Sequence, residues 1–306
     1  MRILLFGITH LCLDLLKLII KEDYNLIGLV FDNSNNQDIR AMKSLAKSRY
    51  IPCFELNNLN DTEFLNTVEK TLVPDVILVL TFNQKLPVKL YSLAKIAAIN
   101  MHPSYLPDYK GASPYFWPIA NGEKTTGVTF HHLNADYDSG DIIVQEKVAI
   151  NIEDTNGMVV KKQLKVAWPM LKNILNNIEA TKQSPSGLKQ MLGNYKKAPR
   201  PTSDDFYVKW NWPSQKILDR IRALNPFSAA YAIFRDEVIG IYQAKITSFP
   251  SNKNVGTIIA VTAEGPIIKT GDGAVLLMIV VVGKKYLLTG ADFIANESIK
   301  VDEVLG

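Results

Sequence analysis

Three polar side chains with complementary chemistry stand in two short motifs of this sequence. Asn100 and His102 lie in Asn-Met-His-Pro, and Asp138 opens Asp-Ser-Gly-Asp. A carboxamide NH2 donates hydrogen bonds without carrying charge, so it can hold an oxyanion, whereas imidazole titrates near neutral pH and can move protons. A carboxylate beside the imidazole stabilises its protonated form. Together these residue types can run acyl transfer to an amine without a metal or a covalent intermediate.

Each motif also has a structural interpretation. A histidine before proline at a strand end is common in turns, and the acidic motif at Asp138 is compatible with an ordinary turn or a loose calcium loop. The segment lacks the twelve-residue spacing and the closing glutamate of an EF-hand loop, which argues against calcium. At this point the turn interpretation stays open for each motif.

Composition is that of a globular protein. The chain has 306 residues, 47% of them hydrophobic and 21% charged, a size typical of two domains. No apolar run reaches the roughly 18 residues of a membrane helix, and the N-terminus has no secretory cleavage pattern, so we predict a cytoplasmic protein without membrane contact. Cys12 and Cys53 have no metal-like spacing, so we expect neither a disulfide framework nor a metal site. The net charge of +4 permits anionic partners but is below that of dedicated nucleic-acid binders.

Short apolar runs alternate with helical stretches in the first part of the chain. The pattern predicts strands near 2–6, 25–31, 75–81 and 96–101 and helices near 11–21, 37–48 and 60–70. Such alternation predicts an α/β fold with a Rossmann-like, mainly parallel sheet and helices on both faces. Functional residues then lie at the carboxyl ends of the strands. Asn100 and His102 alternate at the end of one of these strands, so their side chains leave on one face.

The composition changes after residue 180. Residues 181–205 are rich in Lys, Pro, Ser and Gly, which indicates an exposed linker. A helix near 214–224 and apolar runs around 230–246, 256–262, 266–270 and 275–288 follow, with glycines between them. Closely spaced strands of this kind favour a small open β-barrel or sandwich. We therefore predict a first domain (1–180), a linker (181–205) and a barrel-like C-terminal domain (206–306).

Several motifs, taken in order along the chain, resemble the methionyl-tRNA formyltransferase family. They are Asn100-x-His102 with the following Pro-Ser-Tyr-Leu-Pro-Asp-Tyr-Lys-Gly, Pro114, Asn121-Gly122-Glu123, Thr126-Gly127-Val128-Thr129, Asp138-Ser139-Gly140-Asp141, Ile221-Arg222-Ala223-Leu224-Asn225-Pro226 and Lys269-Thr270-Gly271-Asp272-Gly273. This family includes the formyltransferase half of the bifunctional enzyme that acts on a UDP-linked 4-amino-4-deoxy-arabinose. The resemblance covers nearly the whole chain, and an ordered series of motifs is far more specific than any one of them.

The resemblance implies formyl transfer from 10-formyltetrahydrofolate to a primary amine, with Asn100, His102 and Asp138 as the catalytic residues and residues 1–180 as the catalytic domain. It also implies a set of folate-binding residues, namely Gln84, Lys85, Leu86, Ser104, Tyr105, Leu106, Pro107, Asn134, Ala135, Asp136 and Tyr137. For Leu86 and Leu106, packing in the protein core is the alternative to folate binding. The sequence departs from the family pattern at Tyr105 and Lys110, where Leu and Arg are usual, and at Ala112, where related sugar enzymes carry Arg.

The amine acceptor is open. Family members that act on initiator tRNA share a basic, glycine-rich insertion after the second strand, whereas residues 32–38 here are short, glycine-free and without Lys or Arg. Phosphate contacts supply much of nucleic-acid affinity, so this stretch argues against tRNA. The linker cations, which are Lys182, Lys189, Lys196, Lys197 and Arg200, argue for tRNA unless they are only solvated. We expect a nucleotide-linked amino sugar or a similar small amine, with initiator methionyl-tRNA as the alternative.

Contacts to the acceptor are predicted for His10, Lys110, Tyr115, Phe116 and Trp117. The three aromatic rings can stack on a base or a sugar, and packing of an apolar helix face is the alternative. His10 follows the first strand in a turn without the three glycines of a dinucleotide-binding loop, where a capping role is equally compatible. Two other functions remain, a non-catalytic folate- or RNA-binding scaffold and hydrolysis of the formyl group. The intact triad argues against the scaffold, and the sequence indicates no oligomeric state.

Overall fold

The computed structural model describes residues 1–34, 36–191, 193–283 and 286–306. Four residues named by the sequence analysis lie outside the described residues: Asn35 of the stretch 32–38, Leu192 of the linker, and Lys284 and Lys285 of the last strand run. The described chain divides into two compact units. The first unit is Met1–Pro114, Thr125–Ala149 and Val160–Pro199, and the second is Tyr115–Lys124, Ile150–Val159 and Arg200–Gly306.

Side-chain caps mark the starts of several helices. They are α1 (His10–Lys21), α2 (Gln37–Lys47), α3 (Thr62–Thr67), α4 (Val88–Tyr91), α5 (Trp117–Ala120), α6 (Asn156–Thr181), α7 (Ser214–Leu224) and α8 (Gly290–Glu297). The side chains of Thr9, Asn36 and Asp61 accept hydrogen bonds from main-chain N–H groups at the starts of α1, α2 and α3. The three predicted helices are thus present, with α3 continued by a π-helical turn at Val68–Leu72. Within the described part of the chain, none of the helices has the length and apolarity needed to cross a membrane.

A seven-stranded sheet forms the centre of the first unit as far as it is described. Its strands are β1 (Ile3–Gly7), β2 (Leu26–Phe31), β3 (Cys53–Glu55), β4 (Val76–Leu80), β5 (Ala97–His102), β6 (Thr125–His132) and β7 (Ile142–Ala149). They lie in the order β3-β2-β1-β4-β5-β6-β7, with the first five parallel and β6 and β7 antiparallel to their neighbours. The predicted α/β fold with a mainly parallel sheet is confirmed. The short strand β3 and the antiparallel pair β6 and β7 were not predicted from the sequence.

Burial explains the strand sequences. All five residues of β1 and all five of β4 are buried, as expected for strands covered on both faces. In β5, half-buried Asn100 stands between buried Ile99 and Met101, so polar residues enter the strand only towards its carboxyl end. The strand order changes direction between β1 and β4, and open α/β sheets place ligands outside the carboxyl ends near such a switch.

The second unit contains an antiparallel sheet. Its described strands are β8 (Ala230–Phe234), β9 (Glu237–Thr247), β10 (Ile258–Val261), β11 (Pro266–Lys269), β12 (Ala274–Val282) and β13 (Tyr286–Thr289), in the order β10-β11-β12-β9-β8 with β13 beside β12. Leu305 pairs with Phe234 at the end of β8, and Val304 pairs with Thr257 next to β10. The C-terminal residues therefore link the two edges of the sheet and close it towards a barrel. The predicted C-terminal β domain is confirmed.

Candidate active site

Asn100 and His102 lie at the carboxyl end of β5, where the parallel part of the sheet meets its antiparallel part. Residues two apart on a strand project from the same face. β6 runs alongside, pairing Asn100 with His131 and His102 with Thr129. The two polar side chains that the sequence analysis singled out on β5 therefore share one site with residues of β6.

The ring of His102 has a partner at each nitrogen. Nε2–H donates to the main-chain carbonyl of Tyr109 at 2.8 Å, and Nδ1 faces Oδ1 of Asp138 at 3.4 Å. His102 is only 4% exposed. Because both nitrogens face acceptor oxygens, the ring can donate to both only when it is protonated. Asp138 is thus placed to hold an imidazolium, and the structure brings the third predicted residue to the other two.

Asp138 is fixed through the backbone of the loop that follows β5. The N–H of Gly111 donates to its Oδ2 at 2.9 Å. The other oxygen, Oδ1, faces the rings of His102 and His131. Asp138 has φ of 51°, in the left-handed region that few residues other than glycine adopt and that Asp tolerates better than most. Tyr109, the partner of His102, also has a positive φ of 61°. Left-handed backbone conformations cost energy at residues other than glycine, so the contacts around Tyr109 and Asp138 must hold them in place.

His131 completes the cluster, and the sequence analysis did not single it out. It is 2% exposed, and its Nε2 lies 2.9 Å from the carboxamide nitrogen of Asn100. Burial lowers the pKa of His131 to about 4, although the negative charge of Asp138 acts in the opposite direction. The ring is therefore neutral at neutral pH. Asn100, His131, Asp138 and His102 form one connected polar cluster.

The loop after β5 packs against β6 through its main chain. The hydroxyl of Thr129 donates to the carbonyl of Ser104 at 2.8 Å and accepts from the N–H of Leu106 at 3.1 Å. Of the predicted folate residues in this loop, Ser104 and Leu106 are buried, Pro107 is half-buried and Tyr105 is exposed. The aromatic ring is therefore the loop side chain most open to a ligand.

The first predicted folate loop follows β4. Leu86 is 4% exposed and belongs to a core cluster, in agreement with the packing alternative. Gln84 reaches the carbonyl of Leu56 at 3.5 Å. Lys85 is exposed, and its Nζ lies 5.4 Å from the centre of the Tyr137 ring. Of this loop, Lys85 is the predicted folate residue most open to solvent.

A turn carries the remaining predicted folate residues. Asn134, Ala135, Asp136 and Tyr137 are all exposed. The side chain of Asn134 accepts from the hydroxyl of Ser139 at 2.9 Å, which closes the turn around the start of the acidic motif. Tyr137 is 60% exposed. The Tyr137 ring and the Lys85 ammonium therefore offer an aromatic face and a cation to solvent. Tyr137 directly precedes Asp138 in the chain.

His10 and Lys110 occupy different parts of the first unit. His10 begins α1 just after β1, with its side chain 51% exposed and its ring 3.2 Å from Asp38 and 3.4 Å from Asp14. Lys110 lies in the loop after β5 and forms a main-chain bridge with Lys197. His10 thus stands among carboxylates, whereas Lys110 belongs to the loop that holds the cluster.

Tyr115, Phe116 and Trp117 belong to the second compact unit. Phe116 is buried in the core of that unit, and Trp117 packs against the same core. The guanidinium of Arg220 lies 5.1 Å from the Phe116 ring and 5.8 Å from the Trp117 ring. It also pairs with Asp205 at 3.1 Å. The contacts of Phe116 and Trp117 therefore agree with packing of an apolar helix face, which was the alternative to stacking on a ligand.

Part of the segment predicted as a linker supports the cluster from within the first unit. Ala198 is fully buried, and its N–H donates to the carbonyl of Lys110 at 2.8 Å. The carboxamide of Gln190 donates to the carbonyls of Asp138 and Gly140 at 2.9 and 2.8 Å. The part of residues 181–205 that includes Gln190 and Ala198, called the bracing segment below, therefore supports both the loop after β5 and the turn that contains Asp138. This supporting role was not predicted from the sequence, because main-chain acceptors leave no residue pattern.

The cluster has the parts needed for acyl transfer. An uncharged amide donor can stabilise an oxyanion, and an imidazole in contact with a carboxylate can transfer a proton. The part of the chain that the structure describes holds no group of three or more His, Cys, Asp or Glu side chains arranged to bind a metal ion.

Two family models match the chain. Residues 15–174 match "Formyl transferase", and residues 201–298 match "Formyl transferase, C-terminal domain". The chain is also 31% identical to a methionyl-tRNA formyltransferase of Clostridioides difficile (strain 630), with 100% of each chain covered. The two matched ranges correspond to the α/β fold and the antiparallel β domain described above.

Solved structures share the fold. HypX from Aquifex aeolicus in complex with tetrahydrofolic acid superposes with a TM-score of 0.70 at 18% identity. The superposition covers 99% of this chain and 48% of the HypX chain. WlaRD, a sugar 3N-formyl transferase, superposes with a TM-score of 0.67 at 20% identity, covering 94% of this chain and 99% of WlaRD. At these identities the structures show the fold alone. The family matches and the full-length relative show more, namely that this chain belongs to the formyl transferase family.

Proposed function

We propose that this protein transfers the formyl group of 10-formyltetrahydrofolate to the amino group of initiator methionyl-tRNA. The observation that carries the transfer chemistry is the contact of His102 with Asp138 beside the carboxamide of Asn100. The full-length similarity to a protein named methionyl-tRNA formyltransferase supports this acceptor. It favours the acceptor that the sequence analysis kept as the alternative over the amino sugar that it preferred.

The site has features that suit a folate. The exposed ring of Tyr137 with Lys85 above it offers an aromatic face and a cation to a flat, anionic ligand. HypX was solved with tetrahydrofolic acid, and WlaRD with 5-N-formyl-THF and dTDP, on the same fold. When bound, 10-formyltetrahydrofolate supplies the formyl carbon that the amine attacks. Leu86 packs in the core, and the other predicted folate residues keep their predicted folate-binding role in this proposal.

Each residue of the triad has one task in this proposal. Asn100 donates an N–H to the formyl oxygen as that oxygen gains negative charge. His102 takes up the proton that the attacking amine loses and returns a proton to the departing nitrogen, so that one C–N bond forms and one breaks without net change in the protein. Nε2 of His102 is held by the carbonyl of Tyr109, so Nδ1 is the nitrogen that exchanges the proton. Asp138 holds the imidazolium formed in between.

Exposed cations support an acceptor with many phosphates. Lys182, Lys189, Lys196, Lys197 and Arg200 are all exposed in or next to the segment that braces the cluster. Phosphate contacts of this kind supply much of nucleic-acid affinity. In this proposal residues 1–180 carry the transfer chemistry, residues 181–205 connect the two domains and brace the cluster through Gln190 and Ala198, and residues 206–306 serve the large acceptor. In this proposal the enzyme works in the cytoplasm, which is the location predicted from the sequence.

A nucleotide-linked amino sugar is the second candidate, and the stretch after β2 favours it. Residues 32–38 contain no Lys or Arg. Their first residue, Asp32, is buried and accepts a hydrogen bond from Asn83 at 2.6 Å. A negative, cation-free stretch offers nothing to tRNA phosphates at this place. The acceptor contacts predicted for His10, Lys110 and Tyr115 remain predictions in this candidate, whereas Phe116 and Trp117 pack in the core of the second unit.

A direct comparison of acceptors tests the proposal. The protein is mixed with 10-formyltetrahydrofolate and either charged initiator methionyl-tRNA or a panel of UDP- and dTDP-linked amino sugars, and release of tetrahydrofolate is followed. We expect rapid turnover with the charged tRNA and only background turnover with the sugars, and turnover by Asn100→Ala that is lower on the order of a hundredfold or more. Turnover restricted to one of the sugars would replace the proposal with the second candidate. Release without any amine would instead identify hydrolysis.

A further inference from the structure

Both nitrogens of the buried His131 ring have partners, and the partners define its tautomer. Nδ1 lies 2.8 Å from the main-chain carbonyl oxygen of His132, and Nε2 lies 2.9 Å from Nδ2 of Asn100. A carbonyl oxygen can only accept, so Nδ1 carries the hydrogen. The neutral ring then has its unshared electron pair at Nε2. That nitrogen accepts from an N–H of the Asn100 carboxamide and cannot donate to its oxygen.

We propose that His131 is a positioning residue that sets the orientation of the Asn100 carboxamide for formyl transfer. The oxygen and the NH2 of a carboxamide have nearly the same shape, so hydrogen-bond partners decide which end faces which way. By accepting one N–H, His131 places the NH2 at the cluster and leaves the second N–H for the formyl oxygen. The inference rests on formyl transfer as the proposed function and holds whichever amine is the acceptor.

The local fold fixes His131 for this task. β5 and β6 pair Asn100 directly with His131, so the contact follows from strand register and needs no flexible loop. Gly140 provides space on the other side of the ring. A Cβ at Gly140 would overlap the carbonyl oxygen of His132 and would lie 3.4 Å from Nδ1 of His131. Glycine in the acidic motif therefore leaves room for the carbonyl that determines the tautomer.

The surroundings keep the ring neutral. The titratable groups that face it are Asp138, His102 and His132. Burial has the largest effect and lowers the pKa of His131 to about 4, while Asp138 raises it and the other two imidazoles lower it further. Oδ1 of Asp138 lies 3.9 Å from Nε2, too far for a hydrogen bond. Asn100 is therefore the hydrogen-bond partner of this nitrogen.

The tautomer can be measured without any assay of activity. In protein labelled with nitrogen-15 histidine, long-range proton–nitrogen correlations at pH 7 separate the two neutral tautomers and the imidazolium. We expect the signals that disappear in His131→Gln to report a protonated Nδ1 and an unprotonated Nε2. An imidazolium or the opposite tautomer at pH 7 would overturn the inference. The variant serves only to assign the signals, and if His131→Gln fails to fold, His131→Leu gives the same assignment.

A double-mutant cycle tests whether His131 acts through Asn100. His131→Leu removes the acceptor and should lower kcat about tenfold, the equivalent of one neutral hydrogen bond, without changing KM for the folate donor. His131→Gln, which restores an acceptor oxygen, should recover most of the loss. In an Asn100→Ala background, His131→Leu should cause no further loss, because the carboxamide it positions is absent.

An unchanged kcat in His131→Leu, or an equal loss in both backgrounds, would contradict a positioning role. Thermal unfolding of each variant accompanies the kinetics, so that a loss of structure is recognised as such. Kinetics use whichever acceptor the wild-type protein formylates. If the wild-type protein formylates none, the proposed function fails, whereas the tautomer of His131 still decides the inference about its hydrogen bond to Asn100.

Discussion

Nε2 of His102 donates to the main-chain carbonyl of Tyr109 at 2.8 Å, so the loop backbone decides which ring nitrogen faces the active site. The same loop donates the N–H of Gly111 to Asp138. The imidazole of His102 and the carboxylate of Asp138 are thus both oriented by main-chain groups of one loop. This loop is held in place by β6 and by the segment around Ala198. Activity should therefore depend on residues that brace this loop as well as on the triad.

Replacement of the amide donor is the most direct test of the triad. Asn100→Ala removes the N–H offered to the formyl oxygen and should lower kcat on the order of a hundredfold or more. The protein should stay folded, because Asn100 is only half-buried. Initial rates with both substrates saturating measure kcat, and circular dichroism checks the fold. Asn176→Ala, at an exposed position of α6, is the matched control and should keep full activity. Normal turnover by a folded Asn100→Ala protein would sink the assignment.

The negative charge of Asp138 can be removed with little change in shape. Asp138→Asn keeps an oxygen that can accept from the N–H of Gly111, and Asn tolerates the left-handed backbone conformation. It leaves the imidazolium of His102 without its counter-ion, so we expect kcat to fall on the order of a hundredfold while the melting temperature changes little. Asp136→Asn, on the exposed turn nearby, is the control. Equal activity of the two variants would show that the charge has no catalytic role.

The cluster of Asn100, His102 and Asp138 could be predicted from sequence because its signals are local. The apolar run of β5 ends in Asn100 and His102, and strand ends are where α/β sheets place functional residues. His131 carried no such signal, although it stands two residues after Thr129 in a matched motif. Its role arises from the antiparallel register of β6 against β5, which pairs it with Asn100. Such a register depends on contacts between distant segments, which a single sequence does not specify.

The bracing segment was missed for another reason. Its Lys, Pro, Ser and Gly content indicates exposure, and many of its side chains are indeed exposed. Its contacts to the loop after β5 are mostly main-chain hydrogen bonds, such as the one from Ala198 to Lys110 and the one from Tyr109 to Lys196. Any residue except proline can donate a main-chain hydrogen bond, so composition cannot reveal these contacts.

Gln190 offers a test of the bracing segment. Its carboxamide donates to the carbonyls of Asp138 and Gly140. Gln190→Leu keeps the side-chain volume but leaves both carbonyls without this donor, which should cost about 1–3 kcal/mol of unfolding free energy. We also expect a lower kcat, because the turn that aims Asp138 loses its support. Chemical denaturation and initial rates measure the two effects.

The control for this variant is Gln183→Leu, an exposed residue of the same segment. It should change neither stability nor rate. If Gln190→Leu lowers stability but leaves kcat as in wild type, the segment supports the fold only. If the two leucine variants behave alike, the side chain of Gln190 contributes nothing and main-chain contacts alone hold the turn.

His131 should give the protein a characteristic loss of stability in mild acid. Its pKa is about 4 in the folded protein and near 6.5 when unfolded. Above pH 6.5 both states hold the ring neutral, so the group has no effect on unfolding. Below pH 6.5 the unfolded state takes up the proton first, so stability falls with falling pH and levels off near pH 4. The total loss is on the order of 3 kcal/mol.

His131→Gln has no titrating ring and should lack this part of the loss. Between pH 6.5 and pH 5 the wild-type protein should therefore lose about 2 kcal/mol more unfolding free energy than the variant. Asp138, His102 and His132 are present in both proteins, so the difference isolates His131. Urea denaturation at a series of pH values measures it. Parallel curves for the two proteins would mean that His131 is protonated in the fold as readily as in the unfolded chain, so that burial does not lower its pKa.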